Sequence, residues 1–250
     1  MIIIKGSLHE NFGDQPTNKF LGQALSKQAI QLVDWNYTDA AYMMCGSLLQ
    51  FANAKNIVWG TGFMYENDAI KAPPKQIRAV RGKLSRNKLV KMNIDCPEVY
   101  GDPALLYPKF YAPTVSKQYR LGIIPHYIDK DNANIKRFKH EDTIIIDIMA
   151  GYESVIKQIL SCEKIVSSAL HGIIAADAYH VPSMWIQFSD KVLGNGFKFK
   201  DYFSSVNRQI TAPFVVTEKT TIQDFLALFS SYEIKIDLNQ LYEVCPLKNL

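Results

Sequence analysis

A histidine and a lysine in the second half of the chain have the spacing expected of an anion-binding site. His171 lies in the run VSSALHGIIAADAYHVP, where it follows a predicted strand and opens an apolar helix. The start of a helix presents backbone N–H groups and the positive end of the dipole, and the hydroxyls of Ser167 and Ser168 add donors. Lys191 follows the next predicted strand, WIQFS, and neighbouring parallel strands lie about 4.8 Å apart. We predict that His171 and Lys191 share one anionic ligand; a histidine that only packs in the core is the competing interpretation.

The loop NFGDQ after the first predicted strand carries two further candidates, Asn11 and Asp14. Ligands bind outside the carboxyl ends of strands in open α/β sheets, and this loop lies at such an end. One interpretation makes both residues contacts to a substrate hydroxyl, with Asp14 as a general base. The other makes the segment a turn with Asp14 as a helix cap, and the residues alone do not separate the two.

Glycines and arginines end other predicted strands. Gly46 and Gly60 would let a ligand approach the backbone closely and are assigned to the acceptor side of a cleft, although strand-end glycines are also ordinary punctuation. Arg78 and Arg81, in IRAVRGKLS, precede a predicted helix, and a guanidinium binds a carboxylate or phosphate through paired hydrogen bonds. One of these arginines is expected to turn into the cleft, unless both lie on the surface. His126 follows the predicted strand GIIP and is expected to face the same cleft.

The composition narrows the class of protein. The 250 residues are 48% hydrophobic and 21% charged, which allows one large core or two modest ones. A net charge of +4 fits an enzyme with anionic substrates, or loose contact with an anionic membrane surface, and falls short of a nucleic-acid binder. The four cysteines have neither zinc-ligand nor C-x-x-C spacing, so we expect no metal and no disulfide. The start, MIIIKGSLHENFGD, lacks the apolar length of a signal peptide or membrane anchor, and the expected location is cytoplasmic.

Short apolar runs that alternate with helical patterns predict an α/β fold with parallel strands. The predicted strands are MIIIKG, AAYMMCG, NIVWGTGF and QIRAVRG in the first half, and YRLGIIPHY, DTIIIDI, KIVSSA and PSMWIQFS in the second. Thr17 and Ser85 are predicted helix caps, and Thr221 with Asp224 predicts a capping box. The pattern therefore predicts two Rossmann-like domains with parallel sheets facing a central cleft, over residues 1–115 and 116–212. Residues 213–250 are predicted to form a helical tail that packs back on the body.

Several runs, in this order, resemble the polysaccharide pyruvyl transferase family. They are NFGD, CGSLL, VWGTGF, VRGKLS, YGDPALL, GIIPHY, VSSALHG with its alanine-rich helix and proline, and FSDKV. The resemblance covers about 200 residues and is nearest to the bacterial exopolysaccharide (capsule-type) ketal-pyruvate transferases. The tail beyond about residue 210 carries none of these motifs.

The resemblance implies a GT-B-like fold, no metal or cofactor, and phosphoenolpyruvate as donor substrate. The implied product is a pyruvate ketal bridging two hydroxyls of one sugar, usually in a lipid-linked oligosaccharide at the inner face of the membrane. In this sequence Arg81 matches the donor-binding arginine, His171 the histidine of the Leu-His motif, and Lys191 the lysine of a D-x-K-V-like motif. Many members have an arginine where this chain has Ala169, so another residue, such as Arg78 or His126, would supply that donor contact.

The implied chemistry needs an acid that protonates the methylene carbon of the donor and a base that takes a sugar-hydroxyl proton, each contributing about 10²- to 10⁴-fold. We assign His171 as the acid and Asp14 as the base. Two alternatives stay open at this point: a GT-B glycosyltransferase that uses a nucleotide-sugar, and a non-catalytic sugar-binding member of the family.

Overall fold

A computed structural model describes residues 1–248 and 250 and contains two five-stranded sheets in which every strand pair is parallel. The first sheet comprises β1 (Ile2–Lys5), β2 (Ile30–Val33), β3 (Ala41–Met43), β4 (Asn56–Trp59) and β5 (Gln76–Ala79). The second comprises β6 (Leu121–Ile124), β7 (Thr143–Ile145), β8 (Ile165–Ser167), β9 (Ser183–Gln187) and β10 (Phe214–Val215). The predicted α/β class and its pair of parallel sheets are confirmed.

The helices are α1 (Gln15–Ser26), α2 (Lys83–Lys91), α3 (Tyr107–Phe110), α4 (Ala133–Lys136), α5 (Tyr152–Leu160), α6 (Leu170–Ala178), α7 (Phe197–Ser205), α8 (Ile222–Leu228) and α9 (Leu238–Glu243). Short 3-10 turns cover Leu49–Phe51, Pro103–Leu106 and Tyr127–Asp129. The central strands β6 and β8 are buried along their whole length, because helices cover both faces of a parallel sheet.

The two sheets have the same strand order. The first runs β2-β1-β3-β4-β5, and the second, taken from its other edge, runs β7-β6-β8-β9-β10. In both, the strand order reverses between the first and third strands, so β1/β3 and β6/β8 are the switch points. In open sheets of this kind ligands bind outside the carboxyl ends of the strands at the switch point. The fold therefore has two such crevices, one in each half of the chain.

Buried contacts join the halves. The Phe12 N–H, beyond β1, donates to the Ile148 carbonyl, beyond β7, at 2.9 Å. Helix α7 follows the second sheet along the chain but packs on α2 of the first half, where Arg81 and Asp201 form an ion pair at 2.9 Å with no exposed side-chain area. These buried contacts fix the position of the switch-point loops of one half relative to those of the other.

Some sequence-based expectations of local structure need correction. Thr17 lies inside α1 and bonds the Phe12 carbonyl, while Asp14 occupies the N-cap position; Ser85 lies inside α2, where Gly82 is the N-cap residue. The Thr221–Asp224 capping box is confirmed. Strand β2 was not predicted, because it is a half-exposed edge strand of four residues that includes a glutamine.

The segment 213–250, predicted as a helical tail, begins with β10 and so contributes to the second sheet. Helix α8 then packs on the core of that half, where the rings of Phe225 and Phe138 lie 5.2 Å apart. Helix α9 returns to the first half, and the Trp59 indole N–H donates to the Leu241 carbonyl at 3.0 Å.

Candidate active site

A cavity of about 380 Å³ opens between the two switch points. Most of its wall comes from the loops that follow β1, β3, β6 and β8. The loops after β4, β7 and β9, the β2–β3 loop and the first turn of α7 contribute the rest. The polar side chains that line it are Ser7, His9, Asn11, Asp14, Ser47, Gln50, Tyr65, His126, Tyr127, His171 and Lys198. The volume is within the roughly 300–1,000 Å³ typical of small-molecule sites.

His171 lies in the first turn of α6 in front of a buried carboxylate. Its Nε2 lies 3.3 Å from Oδ2 of Asp102, which has no exposed side-chain area. Asp102 begins the 3-10 turn after β5, and its Oδ1 accepts the Ala104 N–H at 3.0 Å. Burial raises the pKa of Asp102, but His171, the Ala104 N–H and Arg81 together outweigh burial and lower it. A buried carboxylate therefore faces Nε2 of the imidazole and can orient the ring, as in other histidine–carboxylate pairs.

The position of Asp102 depends on two glycines. Gly60 has φ of +101°, and a Cβ there would lie 2.2 Å from the Pro103 ring. Gly101 has φ of +129°, and its Cβ would approach the Leu241 side chain to 2.8 Å. Gly60, predicted on the acceptor side, thus lies outside the cavity lining and lets the Asp102 turn pack against β4. Gly46 does line the cavity, with φ of +109°.

The loop after β1 presents a second carboxylate to the cavity. Asp14 is the N-cap residue of α1, but its side chain makes no capping bond; it accepts a hydrogen bond from the Asn11 amide instead. Burial raises the pKa of Asp14, with His171 and Asn11 acting in the opposite direction. A carboxylate with a raised pKa is a better proton acceptor near neutral pH. Asn11 and Asp14 therefore line the same cavity as His171.

Lys198, in the first turn of α7, is the cation that the sequence analysis missed. It is only 7% exposed and lines the cavity, and none of the ion pairs within residues 1–248 and 250 includes it. Burial and the charge of Arg81 lower the pKa of Lys198 to about 8, with Asp14 opposing. The sequence did contain a signal for this residue. In FKFKDYFSS, Lys198, Asp201, Tyr202 and Ser205 have the spacing of one helix face, so the run predicts a helix with a polar face that includes Lys198.

Ser167, Ser168 and His126 lie together at the second switch point. The hydroxyl of Ser167 bonds the backbone of Ala169, and the Ser168 hydroxyl accepts the His126 N–H at 2.8 Å, so both serines brace the turns at the switch point. His126 lines the cavity, and burial together with Lys198 lowers its pKa to about 3, which keeps the imidazole neutral.

Arg81 is wholly buried behind the cavity wall. Its guanidinium donates to Asp201, to the Ser47 hydroxyl at 2.5 Å and to the Phe63 carbonyl at 2.6 Å. Arg78 and Lys191 are exposed, and neither belongs to the cavity lining. Across residues 1–248 and 250, no group of three or more acidic, histidine or cysteine side chains is arranged to hold a metal ion, and no helix is long and apolar enough to cross a bilayer.

Comparisons with known proteins place these residues in a wider context. Residues 29–190 match the family described as polysaccharide pyruvyl transferase. The chain is 33% identical over 204 residues to "Uncharacterized protein L143" of Acanthamoeba polyphaga mimivirus, a match that covers 78% of this chain and 70% of that protein. It is 29% identical over 208 residues to the succinoglycan biosynthesis protein ExoV of Rhizobium meliloti (strain 1021), covering 78% of this chain and 61% of that protein. No solved structure matches significantly. Arg81, Asp102 and His171 lie inside the family match, whereas Asp14 and Lys198 lie outside it.

Proposed function

The chain belongs to the polysaccharide pyruvyl transferase family, and from that premise we propose that it moves the pyruvyl group of phosphoenolpyruvate onto two hydroxyls of one sugar. The product is a pyruvate ketal on a polysaccharide precursor, with a lipid-linked oligosaccharide as the proposed acceptor. One observation supports the proposal above the others: His171, with the buried Asp102 carboxylate behind it, lines the same cavity as the buried cation Lys198.

The reaction needs two proton transfers. A proton adds to the methylene carbon of phosphoenolpyruvate, and a first sugar hydroxyl adds to the neighbouring carbon, C2. A second hydroxyl of the same sugar then displaces phosphate by breaking the bond between C2 and the bridging oxygen. One hydroxyl proton balances the proton delivered to the methylene carbon, and the other leaves with the phosphate.

The residues of the cavity fit these steps. We assign the first proton to the imidazole of His171, which lines the cavity and whose Nε2 faces the Asp102 carboxylate. Asp14 follows Gly13, which contacts this ring, and lines the same cavity; we assign it to receive the hydroxyl proton.

The donor carries a carboxylate and a phosphate, so it needs positive charge. The family motif assigns this role to Arg81 and Lys191, whereas the geometry favours Lys198, because its ammonium is the buried one that lines the cavity. A positive charge in this cavity attracts an anionic donor more strongly than the same charge on the surface, because less water screens the interaction. Lys198 would also compensate for the alanine at position 169, which lines the same cavity.

Donor binding provides the first test. Calorimetric titration with phosphoenolpyruvate is expected to show at least about tenfold weaker binding for Lys198→Met, with little change for Lys191→Met, which serves as the matched lysine control. Loss of affinity in Lys191→Met alone would instead support the assignment from the motif.

Turnover provides the second test. Incubation with phosphoenolpyruvate and sugar acceptors is expected to release inorganic phosphate only when an acceptor is present, and His171→Asn is expected to lower that rate by about 10²- to 10⁴-fold. A parallel incubation with nucleotide-sugars is the counter-test, because acceptor-dependent release of a nucleotide would refute pyruvyl transfer.

A further inference from the structure

The mouth of the cavity carries an aromatic surface that the proton transfers do not use. Trp35, in the β2–β3 loop, packs on Phe51 with ring centroids 4.5 Å apart, and both side chains line the cavity. Trp35 is 44% exposed, in contrast to Trp59 and Trp185, which are buried. A large aromatic side chain held open to solvent beside polar groups is typical of a recognition surface.

A buried lysine holds this pair in place. Lys5, at the carboxyl end of β1, is 2% exposed, and its ammonium donates to the Tyr37 carbonyl at 2.8 Å and to the Phe51 carbonyl at 2.7 Å. One ammonium therefore ties the loop that carries Trp35 to the turn that carries Phe51. Rings that are fixed before the ligand arrives lose little conformational freedom on binding, which favours affinity.

An unused hydrogen-bond acceptor lies next to the rings. The Gln50 side-chain N–H donates to the Ser47 carbonyl at 3.1 Å, while its Oε1 is buried and has no partner within residues 1–248 and 250. Gln50 also lines the cavity. A buried polar atom without a partner costs free energy, so a ligand hydroxyl that reaches Oε1 would be stabilised.

We propose that Trp35, Phe51 and Gln50 form a subsite for one pyranose unit of the acceptor. The C–H groups on one face of a pyranose are apolar and slightly positive, and they suit the negative face of an indole, while its equatorial hydroxyls point outward to polar partners. The subsite opens into the cavity that contains His171, so a sugar held there lies beside the donor site. This inference rests on the proposed function, since it takes the acceptor to be a sugar.

The polar lining distinguishes a sugar from a lipid chain as the occupant. An acyl or prenyl chain would cover the rings but would leave the Gln50 oxygen unsatisfied, whereas a sugar hydroxyl uses it. A sugar therefore accounts for both the exposed rings and the orphaned oxygen.

The experiment measures sugar binding without turnover. Methyl β-glucopyranoside, methyl β-galactopyranoside and cellotetraose are titrated into the intact protein by calorimetry and by tryptophan fluorescence. A fluorescence response that is lost in Trp35→Ala is assigned to Trp35, the exposed tryptophan of the three. We expect saturable binding of at least one probe, roughly five- to tenfold weaker in Trp35→Ala and largely retained in Trp35→Tyr. Leu228→Ala is the control, because Leu228 is 54% exposed but lies outside this cavity.

Phosphoenolpyruvate is titrated into the same proteins to separate the two proposals. Equal sugar affinity in Trp35→Ala, no binding of any sugar probe to the unmodified protein, or a fluorescence response only to phosphatidylglycerol vesicles would each overturn the subsite. If phosphoenolpyruvate still binds when one of these results is obtained, the subsite is refuted but the proposed function is not. Sugar binding that depends on Trp35 in a protein that does not bind phosphoenolpyruvate supports the subsite and refutes the donor assignment.

Discussion

Gly13→Ala is expected to displace the imidazole of His171, the proposed acid, while leaving the His171 side chain itself unchanged. Gly13 lies in the loop after β1, and a Cβ at this position would lie 1.9 Å from Nδ1, 2.0 Å from Cγ and 2.5 Å from Cε1 of His171. Ordinary contacts between such atoms are about 3.5 Å, so the ring must move by about 1.5 Å. A displacement of this size changes the contact between Nε2 and Oδ2 of Asp102, which now lie 3.3 Å apart.

The size of the effect follows from that displacement. A misplacement of about 1 Å at a reacting group costs on the order of 10²-fold, and complete loss of an acid costs up to about 10⁴-fold. We expect kcat of Gly13→Ala to fall by about 10²- to 10³-fold, or ~2.7–4 kcal/mol of transition-state stabilisation. His171 is partly exposed and can swing toward the cavity, so the free energy of unfolding should fall by only about 1 kcal/mol.

The assay is acceptor-dependent phosphate release, measured together with urea unfolding. Gly6→Ala is the matched control, because Gly6 begins the same loop and its Cβ would come no closer than 3.3 Å to the Asn18 side chain. If the effect acts through His171, the double variant Gly13→Ala/His171→Ala should be no slower than His171→Ala alone. A Gly13→Ala enzyme with unchanged kcat, or a double variant much slower than His171→Ala, would refute the reasoning.

Three further predictions concern charge and support. Because the pKa of Lys198 is lowered to about 8, its positive charge is present below that pH and lost above it, so KM for phosphoenolpyruvate should rise above about pH 8. Steady-state kinetics across pH should show this rise in the unmodified protein and not in Lys198→Arg, which stays charged. Arg81→Met leaves the Asp201 carboxylate buried without its partner and should lower the free energy of unfolding by about 3–5 kcal/mol in urea titration; an unchanged midpoint would show that the ion pair does not join the halves. Leu241→Ala removes a fully buried side chain packed against Gly101, beside Asp102, and should cost about 2–5 kcal/mol while also lowering kcat; full activity in the folded variant would show that α9 does not hold the Asp102 turn.

The sequence predicted the elements that carry the site more accurately than the contacts within it. Strands β1, β6 and β8 are apolar runs bounded by polar loops, and such runs predict buried strands whatever they pack against. His171 and Asp14 lie in the segments that connect those strands to the next helix, so their placement at the carboxyl edge followed from topology. Strand β2 was missed because its half-exposed pattern is not distinctive.

The roles of the arginines and lysines could not be obtained in the same way. A strand-end arginine predicts an anion site, yet Arg81 is taken up by Asp201, which lies 120 residues further along the chain. Lys191 has the expected sequence position but lies on the surface, while Lys198 enters the cavity because α7 crosses to pack on α2. Only the packing of the two halves determines which cation faces the cavity.

The amino-acid sequence by itself determined the α/β class, the two parallel sheets, the family and the edge at which His171 and Asp14 lie. These follow from local periodicity and from motifs, which are properties of neighbouring residues. The tertiary structure alone decided that Asp102 stands behind His171, that Lys198 rather than Lys191 lines the cavity, and that Trp35 lies at its wall. Each of these depends on contacts between segments far apart in the chain. Burial and charge determine which side chains meet there, and a local sequence pattern contains no information about them.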